Sequence, residues 1–319
     1  MSEILITGAT GFVGAALLSR LCLEGHELTA VVRQRSLNLP LRVKSVVVGN
    51  IDGGTYWGEA LYRQDVVVHC AARVHVMRED ESDPLMAFRL TNLRGTLNLA
   101  RQAAKAGVRR FIFISSIGVN GSETFDTPFS AETEAAPHSS YAISKHEAEI
   151  GLREIAEHTG LEVVIVRPPL VYGPSAPGNF ATLVRWLQST YPIPLGAVKN
   201  RRSYVSLDNL VDLLATCVHH PLAADQIFLV SDGEDLSIAE LLRRMGSSLG
   251  KPARLIPVPP SLLKVGAKMI GKPELAQRLC GSLQVDIAKT RRLLSWTPPV
   301  SVHEGLRRAA EGYLREASV

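Results

Sequence analysis

The stretch TGATGFVG, residues 7–14, constrains the fold more than any other part of the sequence. It follows a short apolar, β-branched run at 3–7 and precedes an amphipathic stretch that predicts a helix to about residue 24. Gly8 suits a tight exit from the strand, Gly11 the close approach of a pyrophosphate, and Gly14 close contact between helix and sheet. The helix N-terminus adds its positive dipole end. We therefore expect a dinucleotide-binding loop here.

The rest of the N-terminal half alternates short apolar runs with longer amphipathic ones. Strands are predicted at 27–32, 43–48, 65–70, 110–115 and 162–168, and helices at about 86–106 and from residue 141. The strands are apolar almost without interruption, which indicates burial on both faces. This pattern predicts an α/β fold with a Rossmann-type, doubly wound parallel sheet.

Beyond residue 170 the regular alternation fades and prolines become frequent. We expect a dinucleotide-binding Rossmann domain over residues 1–170 and a smaller, mainly substrate-binding region over 171–319. The apolar run QIFLVSD (226–232) is expected to return to the main sheet.

Composition narrows the functional classes. The net charge of +4 on 319 residues argues against a dedicated nucleic-acid binder, although it suits an anionic small molecule. The four cysteines lack metal-ligand spacing, so no metal site is expected, and a reducing cytoplasm fits best. The first residues do not read as a signal peptide, and no apolar run reaches 18 residues, so membrane insertion is not expected.

The end of the second predicted strand bears on the choice of dinucleotide. NAD-preferring Rossmann proteins usually carry a carboxylate there, whereas this chain has VVRQRS, with Arg33 and Arg35. Arg33 is suited to a ribose 2′-phosphate, the alternative being a solvated loop arginine. NADP(H) is therefore favoured, with NAD(H) possible.

Two further features suggest a catalytic group. Tyr141 and Lys145 lie four residues apart in a predicted helix and so share one face, although that spacing alone also fits an ordinary polar surface. Ser116 follows the strand predicted at 110–115, at the sheet edge where parallel strands end and ligands bind.

Eight short motifs occur together along the chain. They are TGATGFVG (7–14), VVVHCAA (66–72), TNLRGTLNL (91–99), FISSIGVNG (113–121), YAISK (141–145), RPPLVYGP (167–174), RRSYVSLDNLVD (201–212) and LSWTPPVSVHEGL (294–306). By these the sequence resembles extended short-chain dehydrogenases/reductases of the nucleotide-sugar epimerase/dehydratase family. Within it, the chain is similar to UDP-sugar 4-epimerases and UDP-4-keto-6-deoxy-N-acetylhexosamine 4-reductases.

The resemblance implies a catalytic group of Ser116, Tyr141 and Lys145. Tyr141 would be the base, its pKa brought from about 10 towards 7 by Lys145 and an oxidised nicotinamide, while hydride moves at C4 of the sugar. Implied cofactor contacts are Gly8, Thr10, Gly11, Phe12, Val13, Gly14, Arg33, Asn50, Ile51, Ala71, Ala72, Asn92, Tyr141, Lys145 and Pro168. Implied substrate contacts are Ser116, Asn179, Arg202 and Arg278.

Departures from the family pattern bear on the activity. Dehydratases of this branch carry Asp-Glu after the serine or threonine, where this chain has Ile117 and Gly118, so water elimination is not expected. Asn50 and Asn120 also depart from ordinary galactose epimerases. The favoured activity is a 4-ketoreductase or 4-dehydrogenase of a UDP-6-deoxy-N-acetylhexosamine in surface-polysaccharide (O-antigen) synthesis. The alternative is a 4-epimerase of UDP-glucose or UDP-N-acetylglucosamine. A homodimer through the helices at 86–106 and 141–158 is also possible.

Overall fold

The computed structural model describes residues 1–34, 39–74, 83–189 and 191–316. The strands in these ranges are β1 (Glu3–Thr7), β2 (Glu27–Val32), β3 (Lys44–Val47), β4 (Val66–His69), β5 (Arg110–Ile114), β6 (Glu162–Arg167), β7 (Leu170–Tyr172), β8 (Arg202–Ser206), β9 (Ile227–Leu229) and β10 (Asp235–Leu236). The α-helices are α1 (Phe12–Leu23), α2 (Gly58–Leu61), α3 (Pro84–Phe88), α4 (Thr96–Lys105), α5 (Ser140–Thr159), α6 (Asn179–Gln188), α7 (Leu207–His219), α8 (Ile238–Ser248), α9 (Pro260–Met269), α10 (Pro273–Cys280), α11 (Ala288–Leu294) and α12 (Val302–Glu316).

Seven of these strands form a parallel sheet in the order β3-β2-β1-β4-β5-β6-β9. The direction of winding reverses between β1 and β4, where Thr7 pairs with His69. In open parallel sheets the ligand crevice lies at the carboxyl ends of the strands beside this reversal. The predicted doubly wound α/β fold is confirmed.

Burial on both faces explains the uninterrupted apolar strands. One face of the sheet packs against α1 and α7, whose buried side chains include Leu17, Leu21, Leu210 and Leu214. The opposite face packs against α4 and α5, through residues such as Leu99 and Leu152. The two helical layers leave the strand ends open to ligands.

The later part of the chain builds a second sheet, β10-β8-β7, and a third apolar cluster with α6, α8 and α12. Strand β9 nevertheless pairs with β6 in the main sheet, at the run predicted to return there. The division near residue 170 stays a prediction. In the described parts of the chain, no helix has the length and apolarity needed to cross a membrane.

The helix predicted at 86–106 is interrupted. Between α3 and α4 the residues Arg89–Gly95 form a π-helix, a local widening that often occurs at functional sites. The buried Asn92 lies in this segment, where its amide accepts from Arg73 N–H (2.8 Å) and donates to Arg73 C=O (3.0 Å) and Ser144 Oγ (3.1 Å). Sequence periodicity missed the widening because these contacts are tertiary.

Candidate active site

Two glycines of the loop between β1 and α1 are required by the fold itself. Gly8 has a φ of +65°, and a Cβ there would lie 2.8 Å from Ala71 N. A Cβ on Gly14 would lie 2.2 Å from Gly8 O, far closer than any side chain tolerates. Larger residues at either position would push apart the strand, the loop and the helix.

Gly11 has a different part. It is the extended residue that precedes α1, and its Cβ would meet only Gly8 O, at 3.2 Å. In the described chain no side chain caps α1, and its first turn holds no acidic residue. The N–H groups of Phe12, Val13 and Gly14 thus lack intrahelical acceptors, next to the exposed Thr10. This cradle fits the pyrophosphate of a dinucleotide.

The neighbouring strand end is fixed by a buried hydrogen-bonded chain. Thr7 Oγ1 lies 2.7 Å from His69 Nδ1, and His69 Nε2 lies 3.0 Å from Thr96 Oγ1. Thr7 Oγ1 also accepts from Ala71 N–H (3.2 Å). Burial, with the nearby Lys145 charge, lowers the pKa of His69 to about 3, so this ring is neutral and structural. The small side chains of Ala71 and Ala72 leave room at the crevice.

Three predicted contacts for the adenosine end lie on the other side of the crevice. Arg33 is exposed directly after β2, and Asn50 is exposed after β3. Ile51 is half-buried against Gly95, where a Cβ would lie 2.7 Å from Ile51 Cγ2. Arg35 lies outside the described residues.

Lys145 is held deep beside the sheet. Its side chain is 2% exposed, its Nζ donates to Ile114 C=O at 2.8 Å, and it lies 4.3 Å from the centroid of the Phe113 ring. The distance from Nζ to the centroid of the Tyr141 ring is 5.9 Å. The shared helix face places the two side chains together, as their spacing predicts.

Burial shifts the pKa of both members of this pair towards the uncharged form. Burial raises the pKa of Tyr141 to about 12, and burial lowers the pKa of Lys145 to about 7, although the Glu149 charge opposes the second shift. Lys145 alone therefore does not lower the pKa of Tyr141 to neutral pH. Desolvation disfavours the charged forms of both side chains, and Lys145 Nζ is engaged by a backbone carbonyl. A further positive charge is needed to make the phenolate.

Ser116 lies beside the start of α5. Its Oγ accepts from Gly118 N–H (3.1 Å), and a Cβ on Gly118 would lie 3.3 Å from that Oγ and 3.4 Å from Ala142 Cβ. Ile117 N–H donates to Pro168 C=O at 3.0 Å. The structure thus brings Ser116, Pro168 and the residue after Tyr141 into one small region.

A buried ionic network under this region escaped the sequence reasoning. Glu149 accepts from Ser115 Oγ (2.5 Å) and from Arg167 Nε (2.9 Å) and Nη2 (2.5 Å). Arg167 Nη1 donates to Asn120 Oδ1 at 3.0 Å. Helical spacing was an available signal, since Glu149 lies four residues beyond Lys145 on the same face.

The predicted substrate residues are only partly brought together. The half-buried Arg202 donates from Nη1 to the carbonyls of Arg278 (3.1 Å) and Gly281 (2.9 Å), and burial lowers its pKa. The Arg278 side chain is exposed, 3.5 Å from Glu274. Asn179 is exposed at the start of α6, and within the described residues no hydrogen bond joins it to either arginine.

Comparisons with known proteins agree with this geometry. Residues 4–231 match the model of the NAD dependent epimerase/dehydratase family. A UDP-glucose 4-epimerase of Vibrio cholerae is 45% identical over 315 residues, covering 98% of this chain and 96% of the relative.

Solved structures show the same fold. A UDP-glucose 4-epimerase of Thermotoga maritima with UDP-glucose has a TM-score of 0.79 at 23% identity, covering 99% of each chain. The Bordetella bronchiseptica enzyme WbmG, in complex with NAD and UDP, has a TM-score of 0.74 at 22% identity, covering 98% of this chain and 94% of its own.

One assignment follows from these observations. They are the glycine cradle, the Tyr141–Lys145 pair beside Ser116, and the match of the family model to more than half of the chain. The protein is an enzyme of the extended short-chain dehydrogenase/reductase type, and it belongs to the NAD dependent epimerase/dehydratase family.

Proposed function

We propose that the protein is a UDP-sugar 4-epimerase that interconverts the two configurations at C4 of a UDP-linked hexose or N-acetylhexosamine. The observation that carries this proposal is the 45% identity with the Vibrio cholerae UDP-glucose 4-epimerase over nearly the full length of both chains. This proposal reverses the earlier order of preference, in which a 4-ketoreductase was favoured and a 4-epimerase was the alternative.

The catalytic side chains have separate parts in this proposal. Tyr141 takes the proton of the C4 hydroxyl and later returns it, and Ser116 Oγ bonds the same sugar oxygen. A bound, oxidised nicotinamide dinucleotide supplies the hydride acceptor and a positive charge. Moving the pKa of Tyr141 from about 12 to neutrality requires roughly 7 kcal/mol at about 1.4 kcal/mol per unit. Lys145 contributes part of this free energy only while its amine is protonated.

The cofactor is proposed to lie along the cradle before α1, with the N–H groups at Phe12, Val13 and Gly14 directed at its pyrophosphate. The family is described as NAD dependent, and the WbmG structure holds NAD. The preference for NADP(H) stays a prediction that rests on Arg33. If Arg33 contacts a 2′-phosphate, Arg33→Asp should weaken NADP⁺ binding at least 10-fold and leave NAD⁺ binding within 3-fold, measured by titration calorimetry.

A 4-ketoreductase remains the second candidate, favoured by the absence of a carboxylate in the sequence VVRQRS after β2. Net reduction consumes reduced cofactor, whereas epimerisation returns the cofactor to its starting state. Elimination of water is not proposed, because Ile117 and Gly118 offer no proton-transfer group.

The nucleoside diphosphate is proposed to lie near Arg202 and Arg278, with Asn179 as a further contact. Arg202 Nη1 is occupied by two backbone carbonyls, and its half-buried guanidinium has further N–H groups suited to an anionic oxygen. A protein of the same fold, WbmG, has been solved in complex with UDP, which is consistent with a UDP-linked substrate.

We also propose that the enzyme works in the cytoplasm as a homodimer. An open groove of about 470 Å³ runs between α4 and α5, lined by Arg101, Lys105, Gly151, Glu154, Ile155 and His158 among others. Ile150 beside it is 41% exposed. If these helices form the contact, Ile150→Glu should convert a dimer to a monomer in light scattering after gel filtration.

The function is tested by incubating purified protein with UDP-glucose or UDP-N-acetylglucosamine without added cofactor. Formation of the C4 epimer, lost in Tyr141→Phe, supports the proposal. Stoichiometric oxidation of NADH or NADPH with a UDP-4-keto sugar, and no epimerisation, would support the reductase instead.

A further inference from the structure

The buried carboxylate of Glu149 lies next to the catalytic pair but belongs to none of the roles assigned above. Tyr141, Lys145 and Glu149 follow one another at four-residue intervals on α5. Glu149 is fully buried, and Arg167 is 3% exposed. Removing two charges from water is costly even when the charges are paired and hydrogen-bonded to each other, as these are. The position therefore calls for an explanation beyond simple packing.

Two contacts of α5 hold consecutive residues at the end of β5, directly before Ser116. Lys145 Nζ bonds Ile114 C=O, and the Glu149 carboxylate bonds Ser115 Oγ. The next residue is Ser116, the proposed partner of the sugar oxygen. Ser115 N–H also donates to Val166 C=O at 2.8 Å, next to Arg167 on β6.

The same network reaches the segment after Ser116. Arg167 Nη1 bonds Asn120 Oδ1, and Asn120 Nδ2 donates to Ser130 C=O at 3.1 Å. The Glu149–Arg167 ion pair thus holds both ends of the segment 115–120, through Ser115 and Asn120.

We infer that Glu149 is a positioning residue: its carboxylate, held by Arg167, fixes the end of β5 that carries Ser116 and keeps Lys145 as a cation at Ile114. This inference rests on the proposed function, because it requires Tyr141 and Lys145 to act on the substrate.

The electrostatic surroundings of Lys145 support this role. The titratable groups that face it are His69 and Cys70 from the end of β4 and Tyr141 and Glu149 on its own helix, with Arg167 of β6 behind Glu149. Burial lowers the pKa of Lys145, and among these groups Glu149 opposes that effect most. The His69 ring is neutral, and burial raises the pKa of Cys70 to about 12, so both are uncharged at neutral pH.

Glu149→Gln tests the charge. Lys145 must be protonated for catalysis, so activity falls as pH rises through its folded pKa. Without the Glu149 charge that pKa drops further, and the alkaline limb of kcat/KM should move to lower pH by at least one unit. At a pH one unit above the midpoint of the wild-type alkaline limb, a shift of one unit lowers kcat/KM of the variant, relative to its own maximum, about 9-fold further than that of the wild type.

Matched variants separate this role from a structural one. Glu149→Asp keeps the charge and shortens the side chain, so kcat should fall about 10-fold with the alkaline limb unmoved. The exposed Glu157→Gln on the same helix should match the wild type in both respects. A kcat in Glu149→Asp equal to the wild type would overturn the positioning part, even if Glu149→Gln fails to fold.

If Glu149→Gln folds and the alkaline limb of its kcat/KM profile coincides with that of the wild type, the inference that Glu149 keeps Lys145 cationic is overturned. Tyr141→Phe in the same series reports on the proposed function separately. If Tyr141→Phe stays active, the proposed function fails; if it is inactive and the Glu149 profiles are unmoved, only this inference fails.

Discussion

Alanine substitutions at Gly14 and Gly11 should separate what the glycine loop does for the fold from what it does for the cofactor. A Cβ at Gly14 would lie 2.2 Å from Gly8 O and 2.8 Å from Gly8 C, both backbone atoms that cannot rotate away. Overpacking of this kind costs about 1–3 kcal/mol. We expect Gly14→Ala to lower the free energy of unfolding by that amount before any ligand is added.

Gly11→Ala is the matched control. Gly11 has φ −84° and ψ 172°, which alanine adopts readily, and its Cβ would meet only Gly8 O, at 3.2 Å. The stability of the free protein should change by less than about 1 kcal/mol, since the poorer N-cap and the stiffer unfolded chain offset each other. A methyl group in the cradle should instead displace the pyrophosphate, and the loss of its charged hydrogen bonds should weaken NAD⁺ binding roughly 10- to 100-fold.

Urea unfolding of the free variants and calorimetric titration with NAD⁺ measure the two effects. Gly14→Ala should lose stability and binding together, whereas Gly11→Ala should lose binding alone. Wild-type stability in Gly14→Ala would refute the packing argument. Wild-type NAD⁺ affinity in Gly11→Ala would refute the placement of the pyrophosphate.

Three further predictions concern other sites. Tyr141→Phe should lower kcat by about 10²- to 10⁴-fold with NAD⁺ affinity within 3-fold of wild type, checked by turnover and calorimetry, and an intact kcat would exclude Tyr141 as the base. Arg202→Ala should raise the KM for the UDP-sugar about 10-fold or more, while the exposed neighbour Arg201→Ala should not; equal KM values would remove Arg202 from the substrate site. Arg110→Met should cost about 3 kcal/mol of stability in urea, because it leaves three carbonyls (Cys217, Val218, His220) without the buried guanidinium, and a change below about 1 kcal/mol would contradict this.

Much of this fold could be predicted because its signals are local. The strand at 3–7, the glycine loop and the helix after it follow from short-range periodicity and backbone freedom, and β1 begins and ends where predicted. The pairing of Tyr141 with Lys145 follows from helical spacing alone.

The remaining features depend on residues far apart in the sequence. The π-helix at Arg89–Gly95 places Asn92 against the backbone of Arg73, and Arg202 bonds carbonyls near residue 280. Burial raises the pKa of Tyr141 and lowers that of Lys145, and the depth of burial depends on packed surroundings that spacing does not reveal. The Glu149–Arg167 pair joins a helix to a strand and becomes visible only in three dimensions.

Transfer of a hydride from C4 of the sugar and back within one active site is central to the proposed function. An isotope label at C4 tests it most directly. UDP-glucose carrying deuterium at C4 would be converted by the purified protein without added cofactor, and the product examined by mass spectrometry and NMR. The account predicts a C4 epimer that retains the deuterium at C4, because a dinucleotide held in the cradle before α1 would keep the transferred label within the active site. A product that has lost the label, or product formation only when NADH or NADPH is consumed, would contradict the account.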